Sequence, residues 1–356
     1  MMNGSNVYIA GIGMITSIGF DLASTHAAVK AGISGARESE YYSKTGKPFT
    51  MALVPSEALP DITYKLAKEK NTTPQMGVML QTIDVAIKQA LKSYPNDKEI
   101  PLFFSGPESY LKGPYTVSPS FIEYIIKQTK VKIDKSVSRI FATGRGGVLE
   151  AIDTATNYMM QTGADYVLVG GADSFQEESL LEYLDEDDRV SYDEVENGFI
   201  PGEAACFLLL TMDIAKAQIM NSGVVNLFKP GLSQEKGHMY SESAYIGGGL
   251  SNAFSLAIKN AAGSKISKVY SSLNGERFWA KEYGVAVTRS KDFLEENFVL
   301  EHPADCLGDT GAAAGSVLIG LALQDLVSAG INDRILVSCS SDQGTRAAVC
   351  VGFSKL

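Results

Sequence analysis

The chain has 356 residues, 45% hydrophobic and 20% charged, a composition that excludes a disordered or fibrous protein and provides for a large buried core. Its 31 Lys and Arg against 41 Asp and Glu give a net charge of −10, the wrong sign for neutralising phosphates, so nucleic acid is set aside as a primary partner. Four cysteines (Cys206, Cys306, Cys339, Cys350) without CxxC spacing and only three histidines (His26, His238, His302) predict no zinc site and no disulfide framework. The sequence gives no support for NAD, flavin or metal, and no cofactor is expected.

Met1 to Asn6 is short and polar and leads directly into Val7-Tyr8-Ile9-Ala10-Gly11-Ile12-Gly13, a buried strand running into a glycine turn. No secretory signal is visible there, and a cytoplasmic location is the expectation. Asp21 to Ala31 reads as a helix stopped by Gly32. A second helix has Thr73-Pro74 as its start, Leu80, Ile83, Ile87 and Leu91 at helical spacing and Pro95 as its stop. Then follow a strand at Leu102 to Ser105, helical spacing in Phe121 to Ile126, a strand at Arg139 to Thr143, and a helix from Gly147 burying Val148, Ile152, Ala155 and Met159.

Tyr166 to Gly171 reads as an apolar strand, and Ala204 to Leu210 as another, with an acid-rich helix between them. The acidic stretch Asp185 to Asp188 with Asp193-Glu194 reads as a solvated surface, since it lacks the alternating spacing of a calcium loop. The grammar then repeats: a helix at Leu250 to Ala262, a strand at Lys268 to Leu273, a helix at Gly311 to Ala329, and strands at Arg334 to Ser338 and Ala347 to Val351. The longest apolar run, Ala312 to Leu323, is broken by glycines and reads as too short to span a membrane. Alternation on this scale predicts α/β layers with parallel strands and buried crossover helices. It also predicts two similar halves, 1–215 and 216–356, in one compact body.

Three phrases in order carry a resemblance: Ala142-Thr143-Gly144-Arg145-Gly146-Gly147 entering a helix, with Gly163 to Asp173 after it; Asn197-Gly198-Phe199-Ile200-Pro201-Gly202-Glu203; and Gly308-Asp309-Thr310-Gly311-Ala312-Ala313-Ala314-Gly315. Together they resemble the β-ketoacyl-carrier-protein synthases of the thiolase superfamily over nearly the whole chain. The resemblance implies a thiolase-like five-layer αβαβα fold with two pseudo-repeated halves, assembled as a homodimer or as a heterodimer with a ketosynthase-like chain. It also implies condensing chemistry by one Cys and two His: a thiolate at a helix N-terminus takes the acyl group, and two imidazoles serve the malonyl decarboxylation.

The sequence departs from that pattern at each catalytic place. The nucleophile position falls on Gly144, the first His on Asn274, the second His on Asp309, and the family's Lys on Ala304. The C-terminal Gly-Phe-Gly-Gly turn is replaced by Ser341-Asp342-Gln343-Gly344. Glu203 is kept only as a structural marker of the fold. Cys339, after a strand of the second half, is the best rescue nucleophile, although a small buried hydrophobe is the commoner use of such a thiol. His302 reads as an exposed loop residue, and Phe278-Trp279 as packing or an interface anchor in a loop region. A cation at Arg145, beside a helix N-terminus, is unfavourable without an anionic partner: it either pairs with Asp309, fills the former substrate entrance or is a surface side chain, and Asn274 beside Asp309 can form a buried polar pair.

The expectation is therefore a catalytically inactive ketosynthase-like protein, a pseudoenzyme serving as dimeric scaffold or partner subunit. It is either similar to a chain length factor, with an acyl carrier protein as a further partner, or similar to the thiolase-like adaptors of type VI secretion effectors, to which the phrase Leu184 to Gly202 with Phe199-Ile200-Pro201 is the closer. The alternative is an active acyl-thioester transferase or hydrolase with a non-standard centre at Cys339 or Asp309.

Overall fold

The chain opens on β1 (Val7–Thr16), buried along nearly all its length, and α1 (Leu22–Lys30), whose start is fixed by a reciprocal capping box between Asp21 and Ser24. The computed structural model describes residues 6–356 apart from 68, 70, 71, 95–97, 111–116, 193–194, 262–264 and 331–332. Pro95, Asp193-Glu194 and Ala262 thus lie outside the described residues. A hairpin of β2 (Arg37–Tyr42) and β3 (Pro48–Met51) and the single turn α2 (Tyr64–Ala67) come next. The first half continues with α3 (Pro74–Ala90), β4 (Leu102–Ser105), α4 (Phe121–Thr129), β5 (Arg139–Phe141), α5 (Gly147–Thr162), β6 (Val167–Asp173), α6 (Glu178–Glu186) and β7 (Ala204–Thr211). Thr73 caps α3 by accepting from the Met76 amide, with Pro74 in the first turn where no intrahelical donor is needed.

The second half runs β8 (Gly223–Leu227), β9 (Gly231–Gln234), α7 (Gly248–Ala261), β10 (Ile266–Ser271), α8 (Arg277–Ser290), β11 (Leu294–Glu301), α9 (Ala304–Leu307), α10 (Ala314–Ala329), β12 (Arg334–Ser340) and β13 (Thr345–Lys355). The strands lie in the order β11-β10-β12-β13-β8-β1-β7-β6-β4-β5, with β9 added beside β13. This is one arrangement used twice. In β5-β4-β6-β7-β1 the first two pairings are parallel and the last two antiparallel, and β11-β10-β12-β13-β8 repeats the pattern. The two sets join where Val7 and Tyr8 of β1 pair with Leu227 and Asn226 of β8.

Alternation of side chains along the strands builds the layers. On β12, Ile335, Val337 and Cys339 face the central core while Leu336 faces the outer one; on β13, Ala347, Val349 and Val351 face inward and Ala348 and Cys350 outward. The central core holds α5 and α10 between the two sheets. α3 and α4 cover the outer face of the first sheet, and α7 and α8 that of the second. This is the five-layer αβαβα arrangement.

Three expectations need correction. The helical run Gly311–Ala329 keeps the bounds expected for this helix and is 19 residues long and apolar enough to cross a membrane, where the apolar run inside it reads as too short. In this fold it is the middle-layer helix, buried against both sheets. Phe278 and Trp279 lie on α8, not on a loop, and Trp279 is buried. The acidic stretch is not wholly solvated: Asp185 is buried and accepts the Lys44 amide at 2.6 Å.

Candidate functional site

The ends of β4, β5, β6, β10 and β12 converge on the N-termini of α5 and α10, and the two junctions have the same build. Each consists of Thr-Gly, a three-residue helical turn, a sixteen-residue α-helix and a left-handed glycine stop: Thr143-Gly144 to Gly163 in one half, Thr310-Gly311 to Gly330 in the other. Gly144 has φ +63° and Gly311 φ +50°, a region L side chains avoid. A carboxylate closes the space beside each glycine. A Cβ added to Gly144 would lie 2.7 Å from Glu108 Oε2, and one on Gly311 2.0 Å from Asp173 Oδ2.

Between the junctions lies a buried charge cluster. Arg145 Nε donates to both oxygens of Asp309 at 3.1 and 2.9 Å, Nη2 to Asp309 Oδ2 at 2.5 Å, and Nη1 to Asp342 Oδ1 at 2.8 Å. Arg189 Nη1 donates to Asp342 Oδ2 at 2.6 Å, and Nε and Nη2 to Glu276 at 2.8 and 2.9 Å. Asn274 bridges two of the acids, its Nδ2 donating to Asp309 at 2.8 Å and to Glu276 at 3.0 Å. Trp279 Nε1 donates to Glu276 at 2.9 Å, and its ring lies 5.2 Å from the Arg145 guanidinium and 5.3 Å from that of Arg346. Three carboxylates thus face two guanidiniums, and each carboxylate oxygen accepts at least one hydrogen bond.

Burial and the guanidiniums together set the protonation states. Burial would raise Asp342, but Arg189 and Arg145 outweigh it and hold the carboxyl well below its usual range. Burial and the neighbouring Asp342 push Glu108 up to about 8, and burial pushes Asp173 up to about 7. Little empty space remains. The cavity between Glu108, Gly144, Asp173 and Phe175, and the one between Ala304, Asp309 and Leu318, have volumes of about 20 Å³ each, room for about one water.

Gly144, Arg145, Asn274 and Asp309 therefore come together, and the Arg145–Asp309 and Asn274–Asp309 pairs form. Ala304 starts α9 beside the second cavity. Glu203 is buried; it accepts from the Val54 amide, Ser174 and Gln176 at 2.8, 2.6 and 2.5 Å. Cys339 is buried on the inner face of β12, and burial pushes its thiol up to about 12 in spite of nearby Arg145. His302 is exposed and pairs with Asp305, and Cys306 is half-buried. Sequence reasoning missed Glu108, Tyr110, Arg189, Glu276 and Asp342. Asp342, in the turn after β12, and Glu276, two residues after Asn274, carried a signal; Glu108, Tyr110 and Arg189 reach the site from loops distant in sequence.

No protein-family model and no curated protein sequence matches the chain. Among solved structures it is similar to a ketosynthase in complex with its chain length factor from Xenorhabdus doucetiae, with a TM-score of 0.77 and 16% identity over 98% of each chain. It is also similar to the ishigamide ketosynthase/chain length factor, at TM-score 0.74 and 16% identity over 98% of this chain and 99% of that one. A third is the ketosynthase from module 6 of the bacillaene synthase from Bacillus subtilis 168, at 0.75 and 15% over 98% and 72%. Likeness at this identity establishes the fold, which is thiolase-like.

Proposed function

We propose that this chain is a ketosynthase-like subunit without condensing chemistry, working as a dimeric scaffold or as the partner of a ketosynthase-like chain. The observation that carries the reading is the filled junction at Gly144. Condensation needs a nucleophile to hold the acyl group and donors for the charge that develops as malonyl decarboxylates. Gly144 has no side chain, and Glu108 occupies the space one would take. Asn274 and Asp309 supply no imidazole, and Asp309 is a carboxylate already bound by Arg145. A malonyl carboxylate entering here would meet a surplus of buried negative charge, with desolvation to pay for besides.

We take 1–215 and 216–356 as halves of one body, which the repeated strand order supports. Two of the similar structures contain a ketosynthase with a chain length factor, which favours a chain-length-factor-like role, with an acyl carrier protein as further partner, over a secretion adaptor. Buried Cys339, without a neighbouring imidazole among the described residues, counts against the acyl-thioester alternative.

The test is incubation with acyl- and malonyl-carrier-protein thioesters followed by intact-mass measurement. The expected result is an unchanged protein mass and no condensed product. A covalent acyl adduct or a β-ketoacyl product overturns the reading. Co-purification from the native cell separates the two partner roles: a ketosynthase chain supports the first and a secretion effector the second.

A further inference from the structure

Segment Pro107–Tyr110 follows β4 in the first half, and the turn Ser341–Gly344 follows β12 in the second. Glu108 accepts from the amides of Asp342 and Gln343 at 2.9 and 2.8 Å. Tyr110 Oη donates to Asp342 Oδ2 at 3.1 Å, and Gln343 Nε2 donates to the Ser109 carbonyl. Ser341 Oγ accepts the Gly146 amide at 2.9 Å and donates to the Thr143 carbonyl at 2.5 Å. Each of these bonds crosses from one half to the other.

We propose that the turn Ser341–Gly344 is a proton-controlled latch between the halves, fastened while the Glu108 side chain is a neutral acid and loosened when that acid ionises. Each Glu108 oxygen accepts one of the two amides, which favours the ionised acid, but burial and the charge of Asp342 oppose it and prevail. Asp342 faces Glu108 from the turn, Arg145 from the start of α5, Tyr110 from its own segment, and Asp173 from the end of β6 across the small cavity. Beyond Asp342 stand Arg189, Tyr240 and Tyr183. Arg145 is already committed to Asp309 and Asp342, and Arg189 to Glu276 and Asp342. An ionised Glu108 therefore adds a negative charge beside Asp342 with no uncommitted cation among these groups to offset it.

The closed latch binds the proton of Glu108 more tightly than an open one, in which the acid is in water at its ordinary value of 4.5. Closure is then strongest at acidic pH, weakens as pH rises from about 4.5 to about 8, and is weakest above that. The inference does not rest on the loss of condensing chemistry, and either can fail alone.

The test uses the full chain between pH 5 and 9. Amide exchange at Asp342–Gly344, corrected for its intrinsic pH dependence, should quicken in the wild type with a midpoint near 8, and E108Q should abolish that midpoint. D342N removes the opposing charge and should shift the midpoint to lower pH. The Glu108 carboxyl carbon resonance of the unmodified protein gives a direct second readout, independent of whether either variant folds. Titration of that carbon near 4.5, or the same exchange profile in E108Q as in wild type, overturns the latch.

Discussion

Arg145 and Asp309 stand 164 residues apart and meet through three hydrogen bonds. The same carboxylate accepts from Asn274 and from the Gly311 amide at 2.9 Å, so one side chain ties the start of α5 to the start of α10 and to the loop after β10. A cation at the positive end of α5 is unfavourable by itself. Asp309 and Asp342 reverse that, and they hold the Arg145 guanidinium charged although burial opposes it.

Asp309→Ala should therefore cost about 3–5 kcal/mol, the usual cost of leaving a buried charge without its partner. The pair replacement R145M/D309L should cost less than the two single changes together, because neither charge is then stranded. Urea unfolding followed by the emission of Trp279, the only tryptophan, reads both effects. Additive losses in the double variant would mean that the two side chains are not coupled.

Placing a thiol at the junction should not confer condensing chemistry. Gly144→Cys forces a side chain into the left-handed region, at about 1–2 kcal/mol, and drives its Cβ onto Glu108 Oε2. The double change G144C/E108A removes the obstruction, so its thiol should be alkylated by iodoacetamide faster than that of G144C. On the proposed function neither variant should condense acyl and malonyl thioesters, since neither Asn274 nor Asp309 offers an imidazole. Formation of a β-ketoacyl product by G144C alone would contradict this.

The layers and the junctions were legible in the sequence because they rest on local chemistry. The strand-to-helix phrase around Gly144 and the glycine phrase around Gly311 mark the two middle helices, and the charge of Arg145 beside a helix start called for an acid. α8 was not legible: Arg277–Ser290 is weakly apolar, and its buried Trp279, Glu282 and Tyr283 are held by Arg145 and Arg346, by Ser340 and Arg346, and by Phe254 of other elements. Glu108 and Arg189 carried no local signal, since their partner Asp342 lies 234 and 153 residues away. Burial of Asp185 was missed for the same reason, because Lys44, which it holds, is 141 residues distant.

Thiol chemistry should separate the four cysteines. Burial pushes Cys206, Cys339 and Cys350 up to about 12, and all three are buried, whereas Cys306 on α9 is only half-buried. Because only a thiolate attacks a disulfide reagent, the native protein should release one equivalent of thionitrobenzoate from Ellman's reagent, slowly, and four after unfolding. C306S should release none while folded. A fast equivalent lost in C339S would reopen a reactive role for Cys339.

A second carboxylate joins the halves at the opposite side of α10. Asp325 accepts from His26 at 2.7 Å and Lys30 at 3.2 Å on α1, and from Lys268 and Tyr270 on β10 at 2.8 Å each. Burial would raise its pKa, but the bonds from His26, Lys268 and Tyr270 outweigh that and hold it well below the ordinary carboxylate range. A depressed folded value means that the unfolded chain binds the proton first. The stabilisation is therefore fully present above the ordinary value of 3.8 and is lost as pH falls through the lower folded one. Asp325→Asn keeps the size of the side chain but removes its charge, and should cost about 2 kcal/mol at neutral pH, the scale of hydrogen bonds to a charged group. The deficit should shrink as the wild type is acidified below pH 4, because the unfolded wild-type chain then takes up a proton that its folded aspartate still refuses. Thermal melts of both proteins from pH 7 down to 2.5 measure the convergence, and a constant gap in melting temperature across that range would show that Asp325 does not carry the acid sensitivity.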